Sequence, residues 1–327
     1  MTIKTIVDTI RDTLRHEMAR DDRVIILGED VGKTGGVFLA TEGLQQEFGA
    51  ERVIDTPLAE LSIVGIAIGA AAVGMRPIAE IQFADFIHPA FDQIVSEAAK
   101  MRYRSNGTWT CPLVIRTPYG GGIHGALYHS QSIEAYYCHV PGLKVVAPAT
   151  PYDAKGLLTA AIRDPDPVLF LEHKKTYRAI KGDVPDDDYT IPIGKAEIKR
   201  AGDDVTAIAY GAMLHETLAA AQELEREGTS VEVVDLRTLQ PLDCETILAS
   251  VRKTSKVCII HEDTRTMGLG AELAALITEQ AFLDLDAPIR RVTGPDLPGV
   301  PFNAAGETAF LPDAKKIARA LRELDAY

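Results

Sequence analysis

A single carboxylate at the mouth of an uncharged apolar run is the residue of this chain best suited to proton chemistry. In the stretch DTPLAELSIVGIAIGAAAVGM (55–75), Glu60 is followed by no charge until Arg76. Thr56 suits a helix cap and Pro57 a first helical position, so the pattern predicts a helix over 58–75 with apolar residues around most of its circumference, hence buried. With Thr56 as the cap, the capping-box position falls on Ala59, and Glu60 is not explained as a capping partner. Its plain alternative is a first-turn carboxylate that favours the helix dipole. A carboxyl group held beside an apolar helix keeps its proton more tightly, which suits it to share a proton with a ring nitrogen. Gly65 and Gly69, one turn apart, bare one face of the helix for close approach by a ligand or a second helix.

The second candidate is His129 in LYHSQSIEA (127–135). A glycine-rich approach, GGGIHG (120–125), leads to it, and Ser130 and Gln131 are placed to orient the ring and fix its tautomer, whereas the plain alternative is an ordinary loop histidine. His124 and His139 read as structural. Gln82 is a polar residue at the carboxyl end of a strand and Phe86 an apolar aromatic.

Several formal motifs fail. Gly120, Gly122 and Gly125 match GxGxxG, but the acidic residue expected roughly 20 positions on is replaced by the run KVVAP (144–148). His215 and Glu216 lack the second histidine of a zinc site, and there is no nucleophile elbow or Walker sequence. Asn106-Gly-Thr108 matches a glycosylation sequon by letter only.

A net charge of -13 argues against nucleic acid or an anionic membrane as partner. Cys111, Cys138, Cys244 and Cys258 have no ligand spacing and read as free thiols of a reducing compartment. The uncharged run after Glu60 is shorter than the ~20 residues of a membrane span, and the start of the chain is an amphipathic helix, so a cytoplasmic protein is expected. Short apolar strands at 23–27, 77–82, 112–116, 144–147 and 168–171 alternate with helices near 40–48, 58–75, 90–103 and 154–162, which implies a parallel sheet covered on both faces. An acidic segment rich in Pro and Gly follows. A second alternation has strands at 205–210, 231–236, 257–261 and 289–292, with helices near 214–227, 242–252, 270–282 and 314–324. The fold class is α/β with two doubly wound domains, placed at 1–185 and 204–327 with a linker at 186–203.

The run Glu60-x4-Gly65-Ile66-x2-Gly69-Ala70 resembles the glutamate-glycine pattern of thiamine-diphosphate enzymes. Together with GEDVG (28–32), GGVFLATEGL (35–44), EIQFADF (80–86), LYHSQSIEA (127–135), PGLKVVAP (141–148) and TPYDAKGLL (150–158), it resembles the beta subunit of the decarboxylating component of 2-oxo acid dehydrogenase complexes. The resemblance implies a pyrimidine-binding domain followed by a transketolase C-terminal-type domain. It implies catalytic roles for Glu60, at the cofactor's aminopyrimidine, and for His129, in acyl transfer to lipoamide. Leu58, Gln82 and Phe86 would lie against the pyrimidine, and the carbonyls of Leu113, Ala161, Ile162, Asp164 and Asp166 would hold a potassium ion. The magnesium motif of relatives is missing, since Gly202-Asp-Asp204 departs from GDG. An alpha subunit would therefore supply Mg2+ and the diphosphate half of the site in an alpha-2 beta-2 heterotetramer that acylates a lipoyl acyltransferase core. EIQFADF and HGALYHSQS resemble members acting on branched-chain 2-oxo acids more than pyruvate dehydrogenase beta subunits, which are the alternative.

Overall fold

A computed structural model describes residues 2–327, which divide into two compact units, 2–119 with 136–193 and 120–135 with 194–327. The first unit contains strands β1 (Thr2–Thr5), β2 (Val24–Gly28), β3 (Val53–Asp55), β4 (Arg76–Glu80), β5 (Val114–Tyr119), β6 (Lys144–Val146), β7 (Val168–His173) and β8 (Lys181–Val184). Its parallel sheet runs in the order β6-β7-β5-β4-β2-β3, while β1 and β8 form a separate antiparallel pair. Every residue of β2, β5 and β7 is buried, as two-sided coverage of a parallel sheet requires.

Helix α1 (Ile6–Arg20) is capped by Thr5, whose Oγ1 accepts the Asp8 N–H at 3.2 Å. Its Ile6, Ile10, Leu14 and Met18, spaced by one turn, join Val24, Ile26, Ile78, Val114 and Phe170 in one core. Helix α2 (Leu44–Phe48) precedes α3 (Glu60–Ala72), and α3 buries Ile63, Val64, Ala67, Ile68 and Ala71. The chain continues through α4 (Met101–Arg104), α5 (Glu134–Cys138), α6 (Pro151–Arg163) and α7 (Thr176–Ala179).

Two expectations are corrected here. The helix expected at 90–103 is broken into a 3-10 turn at His88–Ala90, a π-helical stretch at Gln93–Ala98 and α4. In α3, Thr56 is not the cap: its N–H donates to the Gly28 carbonyl at 2.9 Å, and the cap position falls to Ala59 with no side-chain bond. Thr56 is drawn onto the end of β2, so α3 starts later, at Glu60. Nor is α3 buried all round, because Leu61 is 49% and Ile66 61% exposed.

Under the carboxyl ends of β4, β5 and β7, Arg116 donates through Nη1 to Glu80 Oε2 at 2.7 Å and through Nε and Nη2 to both oxygens of Glu172 at 2.7 and 2.9 Å. Tyr177 adds a short hydrogen bond to Glu172. Burial pushes the Glu80 carboxyl up, against the pull of Arg116. Burial alone would discharge Arg116 too, yet Glu172 and Glu80 hold its proton.

The second unit contains β9 (Glu197–Arg200), β10 (Val205–Ala209), β11 (Val231–Asp235), β12 (Thr238–Gln240), β13 (Val257–Thr264) and β14 (Arg290–Gly294). Its five-stranded sheet is ordered β14-β13-β10-β11-β9, parallel except for the antiparallel edge β9. Helices α8 (Ala212–Glu225), α9 (Cys244–Thr254), α10 (Leu269–Ala281), α11 (Ala304–Phe310) and α12 (Ala314–Asp325) complete it. Residues 197–200 fall within the stretch read as linker, yet they pair with β11. All four cysteines are free, and no helix among the described residues is long and apolar enough to cross a membrane.

Removing one partner of a buried ion network strands the others. Arg116→Met is expected to cost about 3 to 5 kcal/mol of stability, read as the shift in the urea unfolding curve. A loss below about 1 kcal/mol would show that Glu80 and Glu172 do not need their cation.

Candidate active site

The carboxyl ends of β2, β3 and β4 gather the polar residues of the first unit. The loop after β2 is clamped by Asp55, which accepts the Gly32 N–H at 2.6 Å and the Lys33 N–H at 3.2 Å. A Cβ at Gly32 would lie 2.1 Å from Gln45 Nε2 and 2.5 Å from Asp55 Oδ2, so only glycine permits this clamp. The turn presents Glu29 and Asp30, and Gln82 donates to the Glu29 carbonyl at 3.5 Å and to Asp30 Oδ2 at 3.4 Å.

Glu60 opens α3 as its first residue and is half-buried, its carboxylate making no hydrogen bond or ion pair among the described residues. It stands close enough to Glu29 to matter electrically: burial raises the Glu29 carboxyl first, and the charges of Asp30 and Glu60 add to the rise. Phe86, half-buried, packs edge-on against Phe83 with centroids 5.8 Å apart. Leu58 is 72% exposed. The structure thus brings Glu60 and Gln82 into one neighbourhood of the first unit, with Glu29 and Asp30, which the sequence showed only within the GEDVG run and without a role. Their signal was acidic residues directly after a strand whose carboxyl end lies at a sheet crevice.

The apolar surface around this neighbourhood is open. Leu58, Leu61, Ile66 and Val73 are exposed, and a Cβ at Gly69 would meet nothing within 4 Å. Gly69 therefore is not there to let α3 settle on its own sheet.

His129 belongs to the second unit, on the segment 120–135. That segment is pinned by Glu307 of α11, whose carboxylate accepts the Gly122 N–H at 2.8 Å and the His124 N–H at 3.2 Å and meets His124 Nδ1 at 2.6 Å. His124 is thereby tied to α11 through both its backbone and its ring. Ser130 does not orient the histidine, because its Oγ is buried without a partner. Gly125 has a sharper role: a Cβ there would lie 2.8 Å from both the Cβ and the carbonyl oxygen of His129.

The far end of the segment is fixed by Glu134, fully buried, whose Oε1 accepts from Tyr210 at 2.6 Å while Oε2 has no partner. Burial, then the nearby Asp263 and Glu262, pushes its carboxyl well above the ordinary 4.5, and burial raises Asp263 as well. Neither Glu134 nor Glu307 was singled out from the sequence, since each acts on residues far away along the chain.

The residues expected to hold potassium lie together near the end of α6, where their carbonyls and carboxylates have the following partners within the chain. The Leu113 carbonyl accepts the Val168 N–H, the Ala161 carbonyl accepts that of Asp164, and the Ile162 and Asp164 carbonyls accept from Arg76 at 2.8 and 3.3 Å. Lys144 meets the Asp164 carboxylate at 2.7 Å, and Arg102 meets that of Asp166 at 2.5 Å.

A family model described as the pyrimidine binding domain of transketolase matches residues 4–180, and one for the transketolase C-terminal domain matches 194–317. The chain is 58% identical over 327 residues to the 2-oxoisovalerate dehydrogenase subunit beta of Bacillus subtilis (strain 168), covering all of both chains. It is 50% identical to the pyruvate dehydrogenase E1 component subunit beta of the same organism over 324 residues, 99% of each chain. A solved split-gene transketolase, an inactive beta4 tetramer, shares the fold at a TM-score of 0.80 and 24% identity over 98% of each chain.

The raised carboxyl of Glu134 has a consequence for stability. Between its unfolded value near 4.5 and its higher folded value, the unfolded chain has released a proton that the folded chain retains, so stability falls as pH rises through that window. Glu134→Gln is expected to flatten this fall, by up to about 1.4 kcal/mol per pH unit, in melting temperatures compared between pH 5 and pH 8. Parallel profiles for the two proteins would mean that Glu134 is ionised in the fold.

Proposed function

We propose, from the premise that this chain belongs to the family of beta subunits of thiamine-diphosphate-dependent 2-oxo acid dehydrogenases, that its own substrate is a branched-chain 2-oxo acid and that Glu60 and His129 are its catalytic residues. The observation that carries the site is Glu60, unpaired at the first residue of α3 and beside Gln82 and an open apolar surface. The substrate class is supported by the higher identity to the 2-oxoisovalerate dehydrogenase subunit than to the pyruvate dehydrogenase subunit.

These residues fit the pyrimidine half of the cofactor: a carboxylate for a ring nitrogen, an amide for a polar edge, and Leu58 and Phe86 for the ring faces. Thiamine diphosphate supplies, when bound, the nucleophilic carbon and the electron sink for decarboxylation. Glu60 would hold a proton at its carboxylate for the pyrimidine nitrogen of the bound cofactor. Leu58 and Phe86 exclude water from the ring faces. His129 gives a proton to the sulfur released when the lipoyl disulfide opens and its other sulfur takes the acyl group.

The diphosphate and its magnesium belong to an alpha subunit. In this chain Asp204 accepts the Ser230 N–H at 2.6 Å and Asp203 pairs with Lys253 at 3.1 Å, so neither acid of the Gly202-Asp-Asp204 run is kept free for a metal. The open face of α3 meets a partner subunit in an alpha-2 beta-2 heterotetramer, and Gly65 and Gly69 allow a close helix approach. The second unit contributes to docking of the lipoyl acyltransferase core, and the complex works in the cytoplasm.

Reconstitution with the alpha subunit, followed by decarboxylation assays on 3-methyl-2-oxobutanoate and on pyruvate, tests the substrate; faster turnover of pyruvate would reassign it. In that complex Glu60→Gln should fold normally and lose about 100- to 10,000-fold in turnover. A loss of less than about threefold would remove Glu60 from the mechanism. His129→Ala should impair acyl transfer to lipoamide more than reaction with an artificial electron acceptor, and equal losses would reassign it. Gly69→Leu should dissociate the tetramer before unfolding the chain, at a cost of about 1 to 3 kcal/mol at the contact, as read by light scattering. An intact tetramer with a lowered melting temperature would place α3 away from the interface.

A further inference from the structure

The second unit contains a cavity of about 640 Å³ that the reaction above does not use. It lies along edge strand β14 and one face of α12, and Arg265, Arg290, Arg291, Lys316 and Arg319 line it against only Asp296 and Glu323. In a chain of 47 acidic and 34 basic residues, five cations facing two anions is a local reversal of charge.

The two acids do not balance it. Asp296 is engaged by the Thr266 N–H at 2.9 Å and its hydroxyl at 2.7 Å, and Glu323 approaches Arg290 only to 3.5 Å from a half-exposed position. Arg265 and Arg291 are held side by side against their repulsion, because each donates through Nη1 to the other's backbone carbonyl at 3.1 Å. Lys316 spends its donors on the carbonyls of Thr308, Ala309 and Leu311 at the end of α11, so it contributes charge alone.

Two donors are left over. Arg290 Nε is buried without any hydrogen-bond partner, although such a group costs free energy unless something accepts from it. Arg319, on the exposed face of α12, has no hydrogen bond or ion pair among the described residues. The positive field extends inward: burial first, then Arg291 and Arg265, pushes His261 down to about 4.

We propose that this cavity is a binding site for a small molecule carrying two or more phosphate groups, with Arg319 as the direct donor and Arg265, Arg290, Arg291 and Lys316 supplying the field. Guanidinium forks match phosphate oxygens two at a time, and the space along this open groove falls in the range of about 300 to 1,000 Å³ of small-ligand sites. A diphosphate neutralises three surplus positive charges more fully than a single carboxylate does.

The test is a calorimetric titration of the reconstituted heterotetramer, saturated with thiamine diphosphate and excess magnesium, with inorganic pyrophosphate. One saturable site per beta chain is expected. Arg319→Glu should weaken it at least about tenfold, since a charge-assisted hydrogen bond and its charge are lost together. Arg319→Lys should retain most of the affinity, and decarboxylation turnover should be unchanged in both variants. The absence of saturable binding to the wild type would overturn the proposal. Equal affinity in all three proteins, or equal competition by sulfate at matched ionic strength, would overturn it as well.

Discussion

Arg116 sits inside the sheet of the first unit and joins Glu80 of β4 to Glu172 of β7 across β5. Three ionisable groups in a buried layer are tolerated only because each finds its partner at hydrogen-bond distance, and the geometry this demands fixes how the three carboxyl ends stand relative to one another. The residues after those ends inherit the arrangement. Gln82 follows Glu80 by two positions, and Phe83 lies under Lys174, whose Nζ is 5.8 Å from the ring centroid. The candidate site is thus set on a charged lattice below it more than on the hydrophobic core.

On the other side of the site, support is withheld. An apolar helix with a bare glycine face and exposed Leu61, Ile66 and Val73 is costly for a lone chain, since each such side chain left in water forgoes on the order of 1.5 to 3 kcal/mol of burial. The same opening admits what the site lacks. A carboxylate that is to meet a ring nitrogen must not be satisfied by its own fold, and Glu60 is left without an internal partner.

Hydrophobic periodicity made most of the strands and helices legible in the sequence, because both sheets are largely parallel and their central strands are buried on both faces, where the apolar runs are densest. It failed where a local interaction overrode the pattern. Thr56 and Pro57 looked like the start of a helix, but pairing of Thr56 with Gly28 delays the first turn to Glu60. The helix at 90–103 has the right apolar spacing, yet the chain overwinds and underwinds it into three pieces. Short strands such as β1, β3 and β9 are too brief to show a period. In the candidate site, residues with a local signature were visible: Glu60 by its isolation, His129 by its glycine-rich approach, Gln82 by its strand end. Ser130 was misjudged, since sequence adjacency to a histidine does not aim a hydroxyl at it, and Glu307 and Glu134 were invisible because their partners are distant in the chain.

The segment that carries His129 is anchored by a residue that is synthesised much later. Glu307 follows Gly122 by 185 positions, and the segment counts with the second unit although it is inserted between β5 and α5 of the first. Contacts of such long range form late, because the entropy of closing so long a loop must be met before they give anything back. During synthesis the first unit can therefore assemble its sheet and its Glu60 neighbourhood while the histidine segment still lacks its clasp. Maturation of the chain is ordered in time: the part that meets the cofactor ring is set first, and the part that carries the histidine is set only when α11 has left the ribosome.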